Sequence, residues 1–193
     1  MLVEIHCIIR GAAPLLMHNV RLADPLDPIV KQIKEISAKK TKTDTEIVRR
    51  LELEFHGGLY INERGPYIPA EWIEGVIQAG ARLVRKGEAV KSGMQVMDDA
   101  IPLLYDGPHD AEGLFSDQKF VDKRMVGVDR KKVLRFRPRF DLWAAEFSLM
   151  LADDIVSVVD IKSFLEQGGR MKGIGDYRPK FGRFTVSSFE PKK

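Results

Sequence analysis

Between Gln118 and Phe140 the chain carries nine basic residues: Lys119, Lys123, Arg124, Arg130, Lys131, Lys132, Arg135, Arg137 and Arg139. Only Asp122 and Asp129 oppose them, in a protein whose formal net charge is +3. The two-residue period of a strand puts Val133, Arg135, Arg137 and Arg139 on one face and Leu134, Phe136 and Phe140 on the other. A row of guanidinium groups repels itself unless anions lie along it, and phosphate oxygens suit the planar donor fork of arginine. The alternative is a solvated edge strand kept from aggregating by its charge.

A second basic segment runs from Gly168 to Arg183. It holds Arg170, Lys172, Arg178, Lys180 and Arg183, the glycines 168, 169, 173, 175 and 182, and the rings of Tyr177 and Phe181. Gly173 and Gly175 let backbone amides approach a phosphate chain, and Tyr177 or Phe181 could stack on a base. The segment lacks the Gly-Lys-Ser/Thr ending of a nucleoside-triphosphate loop, so no such cofactor is expected. The alternative is a long solvent loop with Phe181 as its anchor.

Other chemistry is less well supported. His18, in the loop after the first strand, is the leading candidate catalytic base, with His6 on the outer face of that strand comparable; otherwise His18 is a polar loop residue or a nucleic-acid donor. The acids Asp98, Asp99, Asp106, Asp110, Glu112 and Asp117 follow no metal-loop spacing and read as solvated surface, so no metal is expected. Cys7 is the single cysteine, which excludes an intramolecular disulfide and a cysteine-rich zinc site and fits a reducing cytoplasm. No basic leader and no long apolar run is present, so neither a signal peptide nor a membrane partner is expected.

The elements that must position these residues follow from periodicity. Residues 2 to 10 alternate, with Val3, Ile5, Cys7 and Ile9 on one face. Two helices are expected within a helical insertion over 20–56, the second capped by Asp44 and stopped by Gly57 and Gly58. A hairpin turning at Gly65-Pro66 precedes a helix from about Ala70, whose glycines suggest close packing on a sheet or loop. Residues 86–118 read as a loop excursion, with Ile101 to Tyr105 a possible strand. Further strands follow from Phe120 to Leu151, then a helix ending at Gly168-Gly169 and a final strand with Phe184 and Val186. One domain over 1–193 is expected, an α+β ferredoxin-like (RRM-like) antiparallel sheet with helices on one face and inserted loops.

A helix, a glycine-rich basic loop and a final strand in this order resemble the signature of the RAMP superfamily of CRISPR effector subunits. Tyr67-Ile68-Pro69-Ala70-Glu71-Trp72 is similar to that family's entry into its first core helix, and Pro14-Leu15-Leu16-Met17 to its start. The resemblance implies an RRM-like protein that binds guide RNA and assembles with copies of itself or with other effector subunits. It implies that Lys172, Arg178, Lys180 and Arg183 hold the phosphate chain, and that the excursion at 86–118 takes the place of a thumb-like hairpin. The expected activity is non-catalytic binding of single-stranded RNA or DNA. The alternatives are an RNA-processing nuclease using His18, or a protein-interaction module that docks on a RAMP-type complex.

Overall fold

Apolar residues at every second position build the first strand, β1 (Leu2–Gly11), and Ile5, Cys7 and Ile9 are fully buried. The computed structural model describes residues 1–128 and 131–192. Along the chain follow β2 (Leu15–Leu16), α1 (Pro28–Ala38), α2 (Asp44–Gly58), β3 (Ile61–Asn62), β4 (Gly65–Pro69) and α3 (Ala70–Arg82). Then come α4 (Gly87–Gly93), β5 (Met94–Val96), β6 (Ala100–Leu104), α5 (Ala111–Ser116), β7 (Val121–Val128) and β8 (Lys131–Phe140). The last three are β9 (Ala144–Ala152), α6 (Val158–Met171) and β10 (Phe184–Pro191).

The main sheet is antiparallel in the order β10-β1-β9-β6-β4-β3, with β5 also on β9; a smaller sheet joins β2, β8 and β7. Reduced to β1, α3, β6, β9, α6 and β10, the chain has the ferredoxin-like succession β-α-β-β-α-β. Ile73, Val76 and Ile77 of α3 and Ile161, Phe164 and Leu165 of α6 close one core with the inner face of β1 and β9. Each such side chain, fully buried, stabilises the fold by roughly 1.5–3 kcal/mol.

Side chains at the helix starts fix the boundaries. Asp27 accepts the Ile29 N–H ahead of Pro28, and Ser157 accepts the Asp160 N–H. The cap of α2 is Thr43, one residue before the expected Asp44, because Thr43 and Glu46 satisfy each other's backbone amides. The hairpin turns at Glu63-Arg64, and Gly65 and Pro66 already belong to β4.

The glycines follow expectation only in part. α2 does end at Gly58, as expected, but Gly168 and Gly169 lie inside α6, which runs on to Met171. Gly80 and Gly168 mark the crossing of α3 and α6. A Cβ on Gly80 would sit 2.2 Å from the Phe164 carbonyl oxygen, and one on Gly168 would sit 2.2 Å from that of Val76. The close partner of α3 is therefore another helix, not a sheet or loop.

Residues 86–118 are not a loop excursion. They supply α4, α5 and two strands, with β6 between β9 and β4. The apolar alternation of Ile101 and Leu103, both buried, carries that strand into the sheet. The long hairpin of the molecule is β7–β8 instead. The helical insertion α1–α2 is docked on that hairpin through Glu54 and Arg135.

Candidate nucleic-acid interface

The register of β7 against β8 sets the arginine face. Arg124 lies opposite Arg135 and Asp122 opposite Arg137, so five charged side chains share one side of the hairpin. Carboxylates of the chain itself answer the arginines. Arg135 Nη1 donates to Glu54 Oε1 at 2.5 Å, and Arg139 Nε donates to Asp141 Oδ1 at 2.6 Å. Arg124 forms a two-point bond to Asp122, at 2.7 and 2.5 Å, which holds its guanidinium pKa above the ordinary arginine value. Arg137 Nε lies 2.7 Å from Asp176 Oδ2, a contact without hydrogen-bond alignment, and Arg137 Nη1 is buried without a partner.

The expected row of arginines open to phosphate is thus corrected at its centre. Arg137 is only 8% exposed, and Glu54 and Asp122 are each 2% exposed. The anions that the row requires come from α2, β7, the turn after β8 and the glycine-rich loop. Lys123 lies over the Phe136 ring at 5.2 Å, and Lys132 is exposed. The expectation at Arg130 falls outside the described residues, and of Lys131 only its place in β8 is described.

The glycine-rich loop packs on this hairpin. Asp176 N–H donates to the Leu16 carbonyl and Gly182 N–H to that of Pro14, both at 2.8 Å, while Ile174 N–H donates to Gly182 at 2.9 Å. Gly173, Gly175 and Gly182 all have φ between 70° and 76°. At Gly175 a side chain would also meet the Leu16 carbonyl oxygen at 2.5 Å. These glycines close the loop on itself and on β2, where the sequence suggested approach to a ligand.

The two rings of the loop separate in role. Phe181 is 5% exposed, so it is an anchor and not a base platform. The Arg124 guanidinium lies 4.7 Å from the Phe181 ring centroid and 5.4 Å from that of Tyr177. Tyr177 remains 46% exposed. On the same loop Arg178, Lys180 and Arg183 are exposed and Lys172 is half-buried, and none of these four forms an ion pair with a carboxylate among the described residues. Exposed Arg170 and Arg183 also border a cleft of about 600 Å³ between α6 and β10.

His18 faces this charged cluster. Burial lowers its pKa, Arg137 and Arg135 act in the same direction, and Asp176 opposes them. Sequence reasoning missed Glu54, Asp122 and Asp176 as partners of the arginines. The available signals were the acid Asp176 inside a basic loop and the four-residue spacing of Arg50 and Glu54 on α2.

The outer face of β1 and β9 differs from this edge. It presents Glu4, His6, Ile8, Glu146, Ser148 and Met150, with no phenylalanine, tyrosine or tryptophan among them and with His6 Nε2 2.8 Å from Glu146 Oε1. Base-stacking on the sheet, as in RRM proteins, would have only the His6 imidazole on these residues, and that ring is engaged by Glu146. Of the expected acidic cluster, Asp110 and Asp117 cap short helices, and the described residues contain no group of three or more potential metal ligands. No described helix is long and apolar enough to cross a membrane.

No family model and no curated protein matches the chain. Among solved structures, it is similar over 100% of its length to a subunit of the type III-B Cmr-beta complex bound to cognate target RNA, with 11% identity and a TM-score of 0.55. The chain spans 61% of the length of that subunit. Cmr6 from Pyrococcus furiosus aligns with 96% of the chain and 98% of its own, at 11% identity and a TM-score of 0.40. At this level of identity the likeness to the Cmr-beta subunit is one of fold, and that fold is ferredoxin-like.

Proposed function

We propose that this chain is a non-catalytic RNA-binding subunit of a CRISPR-type effector, holding a single strand on its glycine-rich loop. One observation carries this reading: Lys172 and Arg178 line a cleft with an exposed tyrosine, Lys180 and Arg183 follow on the same loop, the loop is fixed by its own backbone bonds, and none of the four cations forms an ion pair among the described residues. Unanswered cations on a rigid loop are suited to phosphates, because little order is lost on binding. RNA is favoured over DNA by the fold, which is similar to that of a subunit in a complex bound to target RNA. Copies of the chain, or other subunits, would lie side by side along the strand.

The test is binding of labelled single-stranded RNA and DNA at two salt concentrations. Beside the wild type stands a variant with alanine at positions 172, 178, 180 and 183. Tight RNA binding that high salt and the variant both abolish is the expected result. A folded wild type that binds neither strand overturns the reading and favours a protein-interaction module docked on a RAMP-type complex. Cleavage using His18 would appear in the same samples as shortened RNA that His18→Ala leaves whole.

A further inference from the structure

A cleft of about 520 Å³ opens between Met171 and Lys172 at the end of α6 and Tyr177, Arg178 and Pro179 of the loop. That is within the usual size range of small-molecule sites. Resting on the RNA-binding reading, we propose that this cleft seats one unpaired nucleobase of the bound strand against the Tyr177 ring.

Three features carry the proposal. First, the ring is presented, not merely left outside. Tyr177 has φ 55°, a left-handed conformation that a residue with a Cβ seldom adopts, yet its side chain stays 46% exposed. Second, the ring has support behind it. Arg124 lies 5.4 Å from its centroid and is itself fixed by two bonds to buried Asp122. Phe181 lies 5.8 Å away and is buried. A platform held in place loses little freedom when a base stacks on it.

Third, the charge suits a nucleotide. Lys172 and Arg178 line the cleft without a carboxylate partner among the described residues. The one carboxylate of the cleft, Asp176, is engaged: Oδ1 accepts the Tyr177 N–H at 2.8 Å and Oδ2 lies against Arg137. Met171, 55% exposed, adds an apolar wall. An aromatic and a thioether wall between two cations match a flat base with a phosphate on either side. A base inside a duplex has both faces covered by stacking, so the occupant must be unpaired.

The experiment compares an RNA oligonucleotide with an abasic strand of the same length and charge, using the full chain as wild type, Tyr177→Ala and Tyr177→Phe. The wild type is expected to prefer the strand with bases by about tenfold, the scale of one base–aromatic stack. Tyr177→Ala should lose that preference while its affinity for the abasic strand and its salt dependence stay unchanged, and Tyr177→Phe should keep it. Equal binding of both strands by the wild type, or an undiminished preference in Tyr177→Ala, overturns the base site and leaves RNA binding standing. Failure of the wild type to bind either strand overturns both.

Discussion

Arg135, Arg137 and Arg139 each meet a carboxylate of their own chain within 2.7 Å, whereas Lys172, Arg178, Lys180 and Arg183 meet none among the described residues. The two sets are close in space, since Asp176 of the loop is the carboxylate beside Arg137. Their local sequences suggest the same chemistry, phosphate binding. Burial is what divides them. Arg137 lies within a packed junction of hairpin, loop and α2, where an unanswered charge would be expensive, so acids from three elements converge there. Arg178, Lys180 and Arg183 of the loop are exposed to water, where a lone charge is cheap and available. Basic density along a sequence therefore reports a binding surface only after internal pairs are subtracted.

The comparison can be broken in order of effect. Glu54→Gln removes the anion beside Arg135 and Arg50, and it should lower folding stability by about 3 kcal/mol in a denaturant titration. RNA affinity at constant fold should barely move; a large loss of affinity without a loss of stability would return the β8 arginines to the interface. The reverse pattern is expected for alanine at 172, 178, 180 and 183. Stability should change by no more than about 0.5 kcal/mol per substitution. The slope of log affinity against log salt should fall by about 3, since each lost phosphate contact removes roughly 0.7.

Gly175→Ala probes the junction between the two sets. The added methyl meets the Leu16 carbonyl oxygen in a left-handed backbone, so a loss of about 1–2 kcal/mol or more is expected from thermal unfolding. The smallest effect is a pH dependence. Burial lowers the His18 pKa in the folded chain, while the unfolded chain takes up the proton near its ordinary value of 6.5. The unfolded state then binds more protons, so stability should decline as pH falls below about 6.5, and His18→Asn should flatten that decline.

The strand and helix framework was legible where periodicity is strong. Ile5, Cys7 and Ile9 announce β1, and Ile73, Val76 and Ile77 announce α3. Within residues 86–118 only β6 was legible, from the run Ile101 to Tyr105; its place in the sheet and β5 were not, because both strands are short and their partners on β9 lie far along the chain, Leu151 opposite Met94 and Ala145 opposite Leu103. The arginine alternation in β8 was read with the right faces and the wrong partner. Period two tells which side a guanidinium leaves from, but Glu54 reaches it from 81 residues earlier and Asp176 from across the loop. Tyr177 and Phe181 look alike in sequence, and only the packing of Arg124 over them shows which one remains open.

The crossing of α3 and α6 has a consequence for descent. Positions 80 and 168 admit no side chain without parting two helices, whereas a lysine and an arginine can exchange on the loop at little loss. Among chains built on this scaffold, the pair of glycines should persist while the cations wander between neighbouring positions. A search pattern for such chains does better to fix those two glycines, and to ask only that some positive charge follow the second of them.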